Sequence, residues 1–323
     1  MILAGDIGGT KTVLALINHH PDTGVECVHE QTFASGDFHD FDDLLSQFLA
    51  HKPTISAACF GVAGPVINQR CQTTNLPWIL DAEQLKITLG TQRVKLLNDL
   101  EAMALGMLHL QEHEFIELNP DAQTQTGNIA VIAAGTGLGE ALLYWDGQRY
   151  QPLATEGGHC SFAPQNQQQD KLLSFLRDKF PEHVSCERIL SGIGFSHLYD
   201  FLVASQFGKP CPIVPSIGDP DRSAVISRLG IAGEDEVCSE VVRLFVELYG
   251  AEAGNLALKS FATGGVFIGG GIGPKIRSAM EAGGFIQGFI AKGRFQKVLD
   301  KVSVKLALNS RTPLMGAMYY FVD

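Results

Sequence analysis

The chain has 323 residues, 45% hydrophobic and 18% charged, which is ample for a packed core, fits about two domains and excludes a disordered chain. Its 24 Lys and Arg stand against 35 Asp and Glu, and the net charge of −11 repels phosphate backbones and anionic lipid, which argues against nucleic-acid and membrane-surface partners. Glycine numbers 35, roughly 11% against the usual ~7%, and a surplus of that size points to close backbone approaches.

Seven cysteines, at 27, 59, 71, 160, 186, 211 and 238, form no CxxC pair and no Cys/His spacing suited to zinc. Their odd number and wide scatter read as reduced thiols of a cytoplasmic protein. The N-terminal MILAGDIGGT lacks a basic segment and meets Asp6 too early for a signal peptide. The longest apolar stretch, Ile129 to Gly139, ends at Glu140 and is too short to span a bilayer.

In chain order, Ile2 to Ile17 reads as strand, glycine turn, strand, unlike the strand-to-helix loops of Walker or Rossmann type. Ile55 to Val62 is a second apolar strand closing in Ala63-Gly64-Pro65, a turn signal. Val94 to Leu97 is a third, running into Asn98-Asp99 and a helix with apolar positions at Leu100, Met103, Ala104, Met107 and Leu108. The polar stretch 119–128 reads as a loop near a domain boundary. Ile129 to Tyr144 then repeats the opening pattern around Gly135-Thr136-Gly137, which suggests a duplicated core.

Farther on, 164–175 reads as polar and then helical, with Gln165, Gln167, Gln168 and Gln169 as a solvated loop. A helix is expected from Ser185 to Leu190, irregular chain over 203–233, and a long helix from Glu234 to Phe261. Val266 to Ile268 is a strand leading into Gly269-Gly270-Gly271 and a helix with Pro274 in its first turn. Thr312 to Phe321 is a capped apolar helix.

Backbone N–H groups in a tight glycine turn converge on a concavity that suits phosphate. Asp6, beside the first turn, would repel a bare phosphate but could hold Mg²⁺ or its water shell. The third loop offers a flat glycine surface for an adenosine. Each loop by itself also reads as an ordinary turn; three of them, each at a strand end, point to a nucleotide.

The set GDIGGT at 5–10, LLNDLEAMALG at 96–106, AAGTGLGEALL at 133–143, TEGGHCSFAP at 155–164, SCERILSG at 185–192 and GGVFIGGGIGPK at 264–275 resembles the bacterial glucokinase family. The match is to the zinc-free proteobacterial and cyanobacterial type, within the sugar kinase, Hsp70 and actin superfamily. The resemblance runs from the first strand to the last helix. Lys11 departs from the asparagine common at that place and is similar to the zinc-containing ROK sugar kinases, but their cysteine cluster is missing, since only Cys160 follows His159. Cys160 itself reads as a small packing residue.

This resemblance implies an α/β, two-domain, ribonuclease-H-like (actin-like ATPase) fold with the active site in the interdomain cleft. Residues 1–108 plus 312–323 would form the small domain and 109–311 the large one. The implied reaction transfers phosphate from ATP to D-glucose at the entry to glycolysis, with Mg²⁺ as cofactor and a homodimer as the assembly. Asp99 would take the sugar hydroxyl proton, and Asn98, Asp99, Glu156, His159 and Glu187 would bind glucose. Gly5, Asp6, Ile7, Gly8, Gly9 and Thr10, with Gly135, Thr136 and Gly137, would cradle phosphate, and Gly269, Gly270 and Gly271 would face the adenosine. Closure of the domains on glucose would expel water, a competing acceptor.

Each sugar residue also has a structural reading. Asn98 with Glu101 is a capping-box helix start. Ser185 as N-cap with Glu187 in the first turn would complement a helix dipole. Glu156 and His159 could be solvated loop residues, and a kinase for mannose, fructose or N-acetylhexosamine keeps the same chemistry. A DNA-binding sugar sensor lacks its helix-turn-helix here, and an actin-like ATPase would leave Asp99 and the EGGH segment without a task.

Overall fold

The computed structural model describes residues 1–20, 24–51, 53–73 and 76–322. It divides into two units: Met1–Glu114 with Pro152–Ala154 and the C-terminal segment from Asn309, and Phe115–Gln151 with Thr155–Leu308. The units carry one sheet pattern twice.

In the first unit the strands are Ile2–Ile7 (β1), Lys11–His20 (β2), Gly24–Ala34 (β3), Ala57–Val62 (β4), the short pair Arg70–Gln72 (β5) and Ile79–Asp81 (β6), and Val94–Asn98 (β7). The main sheet runs β3-β2-β1-β4-β7, with β1 antiparallel to β2 and parallel to β4, and β4 parallel to β7. Period-two alternation sorts the two faces. Leu3 and Ile7 pack with Phe60 and Trp78 under the helices Phe41–Phe48 (α1) and Ala82–Leu89 (α2). Ile2 and Ala4 face the other way, where Ala15, Ala57 and Cys59 keep the sheet surface low beneath Asp99–Met107 (α3).

The other main sheet, in the second unit except for Pro152–Ala154, holds Phe115–Glu117 (β8), Ile129–Ala134 (β9), Leu138–Trp145 (β10), Tyr150–Ala154 (β11), Gly265–Gly269 (β12) and Val304–Ala307 (β13), in the order β11-β10-β9-β12-β13-β8. Its first five strands repeat the first sheet: a hairpin, then two strands parallel to the hairpin's inner strand. The helices are Gln167–Lys179 (α4), Gly194–Ala204 (α5), Arg222–Ala232 (α6), Glu236–Ser260 (α7), Ile272–Lys275 (α8), Arg277–Glu281 (α9), Gly284–Ile290 (α10) and Gln296–Leu299 (α11). The buried face of α7 supplies Val241, Phe245, Leu248 and Tyr249 to the core. The Tyr249 hydroxyl accepts from Ala134 N at 3.1 Å and donates to Ile132 O at 3.3 Å, anchoring the end of β9. No helix among the described residues is long and apolar enough to cross a membrane.

The last helix, Thr312–Tyr319 (α12), belongs to the first unit and lies across α3. The crossing depends on glycine. A Cβ on Gly106 would strike the Thr312 carbonyl, and one on Gly316 would strike the Ala102 carbonyl, so the two backbones touch where a side chain would separate them.

Several sequence expectations need correcting. The stretch 203–233 contains α6, whose buried positions are few and so leave little apolar period to read. The helix expected at 185–190 is a single 3-10 turn, Cys186–Arg188, and Ser185 makes no side-chain cap. The glutamine run is the first turn of α4: Gln169 is buried, accepts from Gln165 N and donates to Glu247, while Gln168 donates to Glu240. Cys160 is exposed, since the turn before it holds the chain at the surface, whereas five of the seven free thiols are buried.

Candidate active site

In the first unit the candidate residues gather at the carboxyl ends of β1, β4 and β7, where Ile7 is level with Val62 and Val62 with Asn98. Open α/β sheets place ligands at such strand ends. Gly5 lies below this rim, where a Cβ would come within 2.7 Å of Phe60 and 2.8 Å of Leu14, and the Ile7 side chain is in the core. Only backbone from these two could meet a ligand. The turn itself is half-buried at Gly8 and Gly9 and exposed at Thr10. Gly8 N donates to Lys11 O at 3.0 Å, and Ser35 ties the turn down through Oγ to Gly8 O (2.8 Å) and N to Thr10 O (3.0 Å).

Asn98 caps α3: its Oδ1 accepts from Leu100 N at 2.9 Å, and Glu101 accepts from Asn98 N at 2.9 Å, closing the capping box. Its amide nitrogen donates to Gly64 O at 3.1 Å, leaving a second N–H. Asp99 follows at the first helical position, half-buried, with Oδ1 accepting from Leu100 N. Capping and chemistry are therefore compatible here. Asp6 is close enough to feel it. Burial first, then the Asp99 carboxylate, push the Asp6 carboxyl up to about 6, with Lys11 pulling the other way. Burial and Asp99 likewise raise the Cys71 thiol.

Sequence reasoning missed Gln69. From a left-handed backbone position (φ 59°), its amide accepts from Leu96 N at 3.0 Å and donates to Leu96 O at 3.3 Å. It thereby completes the free edge of β7 two residues before Asn98.

In the second unit, Gly135 N donates to Gly137 O and Gly192 N donates to Gly135 O, each at 2.8 Å, leaving Thr136 exposed at the tip. Two predicted sugar elements converge on Leu138, the next residue. Glu187 accepts from Leu138 N at 3.0 Å, and a Cβ on Gly158 would strike Leu138 O. The glycines of the EGGH segment are therefore small because the turn packs on β10. Between them the 3-10 turn leaves Glu156 and His159 exposed, with His159 N donating to Glu156 O at 3.1 Å. Bonds from Cys186 N to Cys160 O and Phe162 N to Val184 O bind this segment to the one carrying Glu187.

The third loop reaches the same strand ends. Gly269 pairs in register with Ala133, and Gly270 takes a left-handed φ of 79° against the Ala134 carbonyl, a place closed to any side chain. Gly271 is exposed. An open cavity of about 540 Å³ has Thr136, Gly192, Ile193, Ile217, Ile272 and Lys275 among its lining residues. It runs from Thr136 of the second loop to α8, the short helix after the third loop, a space of nucleoside size, and the glycines Gly269 to Gly271 are not among its lining residues. A 2.7 Å ion pair from Arg222 to Asp200, largely shielded from solvent, draws α6 to α5 along its wall.

The chain matches the family model for glucokinase over residues 3–323. It is 37% identical over 332 aligned positions to the glucokinase of Nostoc punctiforme, covering 98% of this chain and 97% of that one. Its fold is similar to a crystal structure of a glucokinase from an Antarctic psychrotroph (TM-score 0.86, 33% identity, 98% and 97% coverage). It is also similar in fold to a ROK family glucokinase from Streptomyces griseus in complex with glucose and AMPPNP (TM-score 0.63, 18% identity, 99% and 98% coverage).

Proposed function

This chain belongs to the glucokinase family and phosphorylates glucose with ATP, and from that premise we propose which of its residues carry the reaction. Asp99 is the general base: it removes the proton from the attacking glucose hydroxyl as the oxygen moves onto the γ-phosphorus. Its place at the first position of α3 sets it at the positive end of the helix dipole, which favours a phosphate nearby. Asn98 offers its remaining amide N–H to the sugar. Glu156, His159 and Glu187 hold the other hydroxyls.

The phosphates lie on the turns Gly8 to Thr10 and Gly135 to Gly137, and the adenosine fills the cavity between Thr136 and Ile272. The AMPPNP carried by the Streptomyces griseus relative supports a nucleotide in this fold. The Asp99 carboxylate opposes ionisation of Asp6, and such a setting would suit Mg²⁺ held mostly by phosphate and water, to which Asp6 would contribute through a water. Mg²⁺ bound with ATP neutralises phosphate charge. A cytoplasmic homodimer working at the entry to glycolysis, without nucleic-acid or membrane partners, completes the proposal; the free thiols support the compartment, the charge of −11 speaks against nucleic-acid and membrane partners, and the dimer is carried by the family resemblance alone.

The observation that carries this assignment is the convergence on Leu138, where the Glu187 carboxylate and the EGGH turn both seat on the residue following the phosphate turn. Calorimetric titration of glucose onto Glu156→Ala and His159→Ala tests it. Each variant is expected to lose at least about tenfold in glucose affinity, the cost of a missing charge-assisted hydrogen bond, while AMPPNP affinity is kept. Unchanged glucose affinity in both would contradict it.

A further inference from the structure

Behind the EGGH turn lies a buried carboxylate that this mechanism does not use. Glu140, on β10, is 1% exposed, and its Oε1 has no hydrogen-bond partner among the described residues. The turn rests directly on it: a Cβ on Gly157 would strike Glu140 Oε2, and Thr155 Oγ1 donates to Glu140 O at 2.9 Å while accepting from Gly157 N at 3.1 Å. The turn carrying Glu156 and His159 thus rests on Glu140 through Gly157 as it rests on Leu138 through Gly158.

The surroundings oppose a charge there. From α7, Glu252 faces it as a second buried carboxylate, with Oε2 accepting from Asn255 at 2.9 Å and from the Cys186 thiol at 3.5 Å. Lys259 Nζ lies 3.5 Å from Glu252 Oε1, and Lys292, which donates to Ala251 O, is the other nearby cation. Tyr249 and Cys186 face the cluster with neutral side chains, their protons held by burial, and on β9 Ile132 stands opposite. Burial first, then Glu252, push the Glu140 carboxyl up to about 7, with Lys259 pulling the other way. An ionised Glu140 needs water, and Gly157 stands in the way.

We infer that Glu140 is a positioning residue for glucose: uncharged, it is the seat of the EGGH turn, and its ionisation lifts Glu156 and His159 off their places and weakens sugar binding. The inference rests on the assignment of Glu156 and His159 to the sugar.

The test is the glucose KM of the full-length enzyme between pH 6 and 8.5, at saturating Mg·ATP, for wild type, Glu140→Gln, Lys259→Met and Glu156→Ala. Wild-type KM is expected to rise about fivefold or more through a limb near pH 7. Glu140→Gln keeps the neutral shape and should hold the low-pH KM across the range. Lys259→Met, a surface change, removes the cation that favours ionisation and should move the limb to higher pH; it carries the test alone where Glu140→Gln fails to fold. Superimposable profiles for wild type and Glu140→Gln, a uniform rise in KM for Glu140→Gln, or an unmoved limb in Lys259→Met would each overturn the inference. Glu156→Ala keeps the two claims apart: an unchanged KM there removes the sugar assignment itself, whatever the pH profiles do.

Discussion

Glu187 accepts a hydrogen bond from the backbone N–H of Leu138 at 3.0 Å, tying the carboxylate proposed to bind sugar to the residue after the Gly135–Gly137 turn. One oxygen is committed to the backbone, and the Ser191 hydroxyl, 2.7 Å from Glu187 O, holds the same segment. Glu187→Ala should therefore disturb two ligands at once. We expect glucose KM to rise at least about tenfold and ATP KM several-fold, since a charge-assisted bond is lost and the turn loses an anchor. Steady-state kinetics with each substrate varied in turn will show it; a change confined to glucose would mean that the bond to Leu138 does not shape the phosphate turn.

The carboxyl of Asp6 is raised to about 6 by burial and by Asp99. In the folded protein it prefers its proton, so its ionisation costs stability that is absent below the unfolded pKa near 3.8 and fully felt above about 6. Asp6→Asn should accordingly raise the melting temperature at pH 8 by a few degrees, equivalent to about 1–3 kcal/mol, with no gain near pH 4. The maximum rate should fall as well, because Asp6 is assigned to the nucleotide's Mg²⁺. A melting temperature equal to wild type at pH 8 would contradict a charged, buried Asp6.

Gly106 and Gly316 set the contact of α3 with α12. Gly106→Ala or Gly316→Ala forces a methyl into a backbone carbonyl and should cost at least about 2 kcal/mol, lowering the melting temperature by several degrees. The loss of activity at a permissive temperature should be smaller than the loss of stability. A melting temperature equal to wild type would contradict the close crossing.

Gln69 pairs with both backbone groups of Leu96. Gln69→Ala leaves the β7 edge open just before Asn98 and should cost about 1–3 kcal/mol. Because the strand end aims Asp99, kcat should fall more than glucose KM rises. Equal effects on both would mark Gln69 as merely structural.

The hairpins and the Asn98–Asp99 helix start could be read in the sequence because local physics repeats there: strand, glycine turn, strand, and an asparagine three residues ahead of a glutamate. The helix α1 also carries a local signal, with Asp40 capping it through Asp43 N and Phe41, Leu44, Leu45 and Phe48 on one buried face. Strand β3 does not, since its residues are mostly exposed and alternate weakly. The roles of Glu187, Gln69 and Gln169 depend on partners far along the chain, which spacing does not reveal. Glu140 did carry a signal: a lone acid at a buried register position in an apolar strand.

The central claim is that Asp99 is the base. ADP release at saturating glucose and Mg·ATP, measured for wild type and Asp99→Asn beside calorimetric glucose binding, tests it most directly. The account predicts that kcat falls by about 10²–10⁴ while glucose still binds within about threefold of wild type. A variant that turns over glucose at the wild-type rate would contradict it.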